Sequence, residues 1–214
     1  MMDTRLESEN LRNKLLISCG VLHPEIDALI DSGVINADAV YLNKFLHINQ
    51  KKLRVALKAA LNRYRQRNPV VVYGDLCLGF NGGMNCLMDD YDTVNVDGLN
   101  CIDCLLGGSG KLLDIDPDHR FFFLTPGFLD FTESLFSGTT AEIRRRFKML
   151  KGIVIVDSLG NMEKYQERIE HFSNQTGLPV LSEKKVGLSG LQNVIEEALL
   201  KCSRETQLRP NGFR

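Results

Sequence analysis

The sequence predicts an α/β protein: a doubly wound, mostly parallel sheet with helices on both faces. Three observations predict it. Short β-branched or apolar runs alternate with helical patterns along the chain. Two of those runs, PVVVYG and GIVIVDSLG, are continuous apolar stretches of the kind parallel sheets bury on both faces. The helical segments between strands supply the crossovers that parallel neighbours require.

The elements follow in order. KLLISCG (Lys14 to Gly20) reads as the first strand, and HPEIDALIDSG as a short helix with Pro24 near its start and Gly33 after its end. DAVYLN (Asp38 to Asn43) is the second strand. The next helix has Asn49 as its N-cap, with Leu53, Ala56, Leu57, Ala60, Leu61 and Tyr64 along one face. PVVVYG (Pro69 to Gly74) is the third strand and leads into a glycine-rich loop. DTVNVD (Asp92 to Asp97) is the fourth, followed by a short helix from Asn100. HRFFFLTPG, two helical segments, the GIVIVDSLG strand, the helix MEKYQERIEHFSNQTG, the strand LPVLSEKKV and the helix LQNVIEEALLKC complete the pattern. Residues 14–202 are expected to form one domain, between a polar segment at 1–13 and a loose tail at 203–214.

Composition excludes several classes. The formal net charge is −1, so there is no electrostatic footprint for nucleic acid or anionic membrane. No apolar run approaches the ~20 residues of a membrane span. The polar N-terminus is unlike a signal peptide, and a cytoplasmic location is expected. There, six cysteines point to free thiols, metal ligands or catalytic groups rather than structural disulfides.

Cys19 ends the first strand, and Cys77 and Cys101 lie just beyond the third and fourth. All three therefore belong to the carboxyl edge, where open α/β sheets bind ligands. In a flavodoxin-like order, 2-1-3-4-5, these strands are neighbours, and three strand ends span roughly 10 Å. Short loops from there bring three thiolates within reach of one metal ion or cluster. The competing readings are small buried hydrophobes and a redox dithiol at Cys101–Cys104, where a helix N-terminus favours thiolate. Asp103 inside that C-x-x-C opposes thiolate formation. His47, after the second strand, is a further candidate ligand, completing a Cys₃His zinc site. Cys202 reads as packing, MDDYD (Met88 to Asp92) as a solvated acidic loop, and Asp157 as the cap of its turn.

At these residues the chain resembles an uncharacterised family, domain of unknown function sixteen thirty-eight. The resemblance rests on ISCGVLHPEI with its glutamate Glu25, FLHINQKKLR, VVYGDLC, NCIDCLLGG and FFLTPGFLD, and spans roughly residues 14–200. It retains Cys19, Cys77 and Cys101 and puts His47 on a family position, whereas Cys86, Cys104 and Cys202 have no counterpart. It implies membership of a family found mainly in methanogens and anaerobic bacteria, with genes neighbouring corrinoid-dependent methyltransferases.

The expectation is a metal-binding protein holding an iron–sulfur cluster, of the 4Fe–4S kind, through Cys19, Cys77 and Cys101, accessory to corrinoid-dependent methyl transfer and partnered by proteins of that system. His47 and Cys104 are secondary candidates. The alternatives are a zinc enzyme activating a thiol or water, and a non-catalytic assembly or chaperone subunit with structural cysteines.

Overall fold

A computed structural model describes residues 14–132 and 136–208. The expected segment 1–13 and the end of the expected tail, 209–214, lie outside the described residues. Seven strands are described, and every pairing between them is parallel. The α/β class expected from the sequence is therefore the class observed.

The first half runs β1 (Leu15–Cys19), α1 (His23–Asp31), β2 (Asp38–Leu42), α2 (Gln50–Tyr64), β3 (Val70–Val72), α3 (Gly83–Tyr91), β4 (Val94–Asn95), α4 (Cys101–Leu106) and α5 (Lys111–Ile115). Its four strands pair in the order β2-β1-β3-β4, with Ser18 opposite Val72 and Val71 opposite Asn95, as in the first four positions of a flavodoxin-like order; the fifth strand does not continue this sheet. The second half runs β5 (Phe121–Leu124), α6 (Pro126–Thr132), α7 (Thr140–Phe147), β6 (Gly152–Asp157), α8 (Gln166–Thr176) and β7 (Val180–Lys185). Its strands form a separate three-stranded sheet, β5-β6-β7. The final helix, α9 (Ser189–Leu208), returns to pack on α4, β3 and β4 of the first sheet.

Local chemistry accounts for these elements. β1, β3 and β6 are buried along their whole length, as strands covered on both faces must be. β7 is exposed throughout, and its Glu183, Lys184 and Lys185 suit an edge strand. Asn49 caps α2 by accepting from the Lys52 N–H at 3.0 Å, as its sequence context predicts. Thr139 and Glu142 form a reciprocal capping box at the start of α7.

Two sequence expectations need correction. MDDYD is not a loop, because Met88 to Tyr91 close α3, which starts at Gly83 where the glycine-rich loop ends. The expected tail from 203 begins as helix, since α9 continues through the helix-forming polar residues to Leu208.

The main core joins the two halves. It takes in Leu16, Ile17, Val70, Val71 and Val72 of the first sheet, Phe123, Val154 and Val156 of the second, and Leu191, Val194 and Ile195 of α9. A second cluster lies under α8, where Phe172 stacks against Phe122 with ring centroids 4.9 Å apart. Helix α6 seals the seam between the halves. Gly127 sits so tightly on the Val21 carbonyl that a β-carbon there would overlap backbone. Phe128 and Phe131 of the same helix receive the edge of the His47 ring at 5.5 and 6.0 Å.

Candidate functional site

The carboxyl edge of the first sheet gathers four thiols. Cys19 is the last residue of β1 and is buried. Cys77 lies in a 3-10 turn, Asp75–Leu78, directly after β3, and is half-buried. Cys101 opens α4 and Cys104 follows it one turn later, so both lie on the same helix face; both are buried.

The loops that carry them are held together by backbone. The Asp75 N–H donates to the Gly98 carbonyl at 2.8 Å and the Leu76 N–H to the Leu99 carbonyl at 3.0 Å, extending the β3–β4 ladder into the loops. Gly74 permits this approach, because a β-carbon would collide with the backbone of Leu99 and Asn100. A β-carbon on Gly98 would come within 2.6 Å of the Cys104 sulfur, so that glycine makes room for the fourth thiol. Asn100 caps α4, its side-chain oxygen accepting from the Ile102 and Asp103 N–H groups at 2.9 and 3.0 Å. Asp103, fully buried, accepts from the backbone of Leu99 at 3.2 Å and of Leu112 at 2.7 Å, fixing the helix against its flanking loops.

The thiols act on one another. Burial, then the Cys19, Cys77 and Cys104 sulfurs, push Cys101 far above the ordinary thiol range. Burial and then Cys19 push Cys77 up to about 12. Burial, Cys77 and the carboxylates of Asp103, Asp75 and Asp97 raise Cys104. Cys19 is also raised by burial, which outweighs the hydrogen bonds it receives from Val21 and Tyr73. Cys19, Cys101 and Cys104 belong to the main hydrophobic core, with Cys77 packed against it. All four are neutral thiols at pH 7.

That result weighs against the competing dithiol reading of Cys101–Cys104, which the α4 N-terminus favours and Asp103 opposes. Desolvation in a water-excluded site outweighs the partial charge of a six-residue helix.

A cation reverses this balance. Thiols that repel one another as anions become favourable ligands once a metal charge stands among them. The donor set, several thiols on three loops of one sheet edge, therefore fits a thiophilic metal or an iron–sulfur cluster. Among the described residues no group of three His, Cys, Asp or Glu side chains is arranged to hold a metal ion as it stands. The four thiols are neighbours, not a closed coordination shell.

The other candidates separate from this group. His47 packs against Phe128 and Phe131, and burial alone lowers its pKa. Cys86 is exposed on α3. Cys202 is buried on α9, its sulfur 3.4 Å from the Lys14 ammonium, in keeping with the packing role expected of it. Asp157 caps its turn by accepting from Gly160 and Asn161 at 2.7 and 3.2 Å, as expected. Two residues that spacing did not bring forward stand out. Tyr73, 2% exposed, is acted on by Cys19, Cys77 and Cys101 together. Glu25 is fully buried, with Oε1 accepting from Ser158 Oγ at 2.7 Å across the seam and Oε2 without a partner. A buried aromatic next to a strand-end glycine and a lone glutamate at a helix start were the available signals.

A family model described as a protein of unknown function (DUF1638) matches residues 41–195, so the chain belongs to that family. Cys77, Cys101, Cys104 and His47 lie inside the match; Cys19 precedes it. Comparison with curated proteins and comparison with solved structures each returned no match. No described helix is long and apolar enough to cross a membrane.

Proposed function

We propose that this member of the DUF1638 family is a cytoplasmic metal-binding protein whose Cys19, Cys77 and Cys101 hold an iron–sulfur cluster at the carboxyl edge of the first sheet. The observation that carries the reading is the placement of Cys19 at the end of β1 and of Cys77 and Cys101 in the segments after β3 and β4, on one edge of the sheet. Bound there, the cluster supplies positive charge and, with three protein ligands, one coordination position open to a further group.

The chain's own residues prepare that event. Cys19, Cys77 and Cys101 each give up a proton to solvent on binding, which makes affinity rise with pH. Gly74 and the Asp75–Gly98 bond keep the Cys77 and Cys101 loops in register. The residues around them exclude water, so the thiolate–metal attraction is not screened.

For its wider role we assign the protein to the machinery accessory to corrinoid-dependent methyl transfer, with proteins of that system as partners. The resemblance of its cysteine and glycine motifs to a family of anaerobes and methanogens supports that assignment. Zinc is the second reading, favoured by Cys104: four thiols are a common structural zinc set.

Single Cys→Ser variants, reconstituted anaerobically with iron and sulfide, test the ligand assignment. Cys19→Ser, Cys77→Ser and Cys101→Ser each lose bound iron, whereas Cys86→Ser and Cys202→Ser keep the wild-type content. Cluster retained in any of the first three removes that residue from the set. Loss on Cys104→Ser as well, with zinc taken up in preference to iron, selects the zinc reading.

A further inference from the structure

At the amino edge of the first sheet, the end opposite the thiol cluster, a lysine and a cysteine meet away from water. Lys14 directly precedes β1, and Cys202 stands in the later turns of α9, 188 residues away in sequence. The Lys14 ammonium donates to the Cys202 sulfur at 3.4 Å, and the Cys202 thiol donates to the Asn68 carbonyl, just ahead of β3, at 3.5 Å. Both residues are buried, Lys14 at 8% exposure and Cys202 at 6%. Lysine is almost never buried without an anionic partner, yet among the described residues no carboxylate lies within ion-pair reach of Lys14. Its nitrogen is instead held against sulfur, within the about 3–3.5 Å from which two reacting atoms go on to bond. Leu199 and Ser203, one turn before Cys202 and one residue after it, line an open groove with Val34 and Ile35, which brings solvent to this side of α9.

We propose that Lys14 and Cys202 form an oxidation-sensitive covalent latch: a peroxide oxidises the Cys202 thiol, and the Lys14 amine then closes an S–N bond onto it. With hydrogen peroxide as oxidant the step balances. The sulfur attacks one peroxide oxygen, the O–O bond breaks, and the leaving hydroxide takes the thiol proton as water, which leaves a sulfenic acid. Lys14 then gives one proton to solvent and its nitrogen attacks the sulfur. The S–O bond breaks, and the hydroxide that leaves takes a second nitrogen proton as a second water. The sulfur loses two electrons and the peroxide gains them. A sulfenic acid condenses in this way with a backbone nitrogen beside it; here the neighbour is an amine, a stronger nucleophile. The product ties α9 to β1 and closes a loop spanning 188 residues, and a cross-link over so long a loop stabilises by constraining the unfolded chain. A thiol reductant reverses it by attacking the sulfur and releasing the amine. None of the three proposed metal ligands takes part, so the latch and the metal reading stand or fall separately.

The full-length chain, purified anaerobically, is treated with hydrogen peroxide in the presence of a chelator, then denatured, alkylated with iodoacetamide and digested with trypsin. The expected product is residues 13–44 joined to residues 202–204. It is uncleaved at Lys14, lighter than the summed peptides by a pair of hydrogens, and carries an alkyl group on Cys19, which sets it apart from a Cys19–Cys202 disulfide. Lys14→Arg keeps the positive charge but supplies no amine, so its Cys202 stops at the sulfenic acid, is trapped by dimedone, and gives no joined peptide. Cross-linked wild type unfolds at a higher urea concentration than the reduced protein, and dithiothreitol restores the original midpoint. Should Lys14→Arg not fold, the wild-type peptide map decides. Cys202 recovered as a sulfinic acid or a disulfide with Lys14 freely cleaved, or left unoxidised after exposed Cys86 is consumed, overturns the latch. An unshifted urea midpoint in cross-linked protein overturns it as well.

Discussion

Burial decides the behaviour of each cysteine more than its neighbours in sequence do. Cys101 stands at a helix N-terminus, the position that lowers a thiol pKa in solvent-exposed redox sites, yet its sulfur is raised because desolvation is the larger effect. Burial also sets an order of reactivity. In the metal-free protein at pH 8, iodoacetamide labels exposed Cys86 first, while Cys19, Cys101 and Cys104 are protected by both burial and protonation. Peptide mapping of a labelling time course checks this, and early labelling of Cys101 contradicts it. The sequence indicated the strand-end position of the three cysteines, because apolar runs ending in Cys-Gly or Tyr-Gly mark strand ends. It did not indicate Tyr73, since a tyrosine closing an apolar strand carries no mark of what its hydroxyl will meet.

Helix α4 and the loops before it are the element on which the cluster depends. Asn100 supplies two capping bonds, so Asn100→Ala costs about 1 kcal/mol of stability. Because the cap also orients Cys101, metal affinity falls further than that loss alone implies. Urea titration with and without metal separates the two effects, and equal losses in both contradict a positioning role for the cap. Gly98→Ala drives a β-carbon into the Cys104 sulfur and costs roughly 1–3 kcal/mol, the range for overpacking a filled core. The capped helix was readable from Asn100 and the glycines after it. Helix α3 was not: its glycine-rich start and acidic end carry the composition of a loop, and only burial of Met84, Leu87 and Met88 makes it a helix.

At the scale of the whole molecule, strand–helix alternation was legible because buried parallel strands write continuous apolar runs. The division into two sheets was not, because such runs say that a strand is covered and not which strand lies beside it. The seam between the sheets carries Glu25, whose carboxyl burial pushes up. Its folded-state value lies above its unfolded one, so the fold favours the neutral acid. Stability from this group is complete below about pH 4.3 and is lost as pH rises through the folded value. Glu25→Gln removes that dependence, and its stability relative to wild type increases from acid to pH 8 in urea melts; parallel pH profiles contradict this. The central claim, that thiols from three loops share one metal centre, is tested most directly by iron and acid-labile sulfide analysis of protein purified anaerobically. The expected result is brown protein with iron and sulfide in equal amounts, one cluster per chain. Colourless protein that takes up neither iron nor zinc on reconstitution contradicts it.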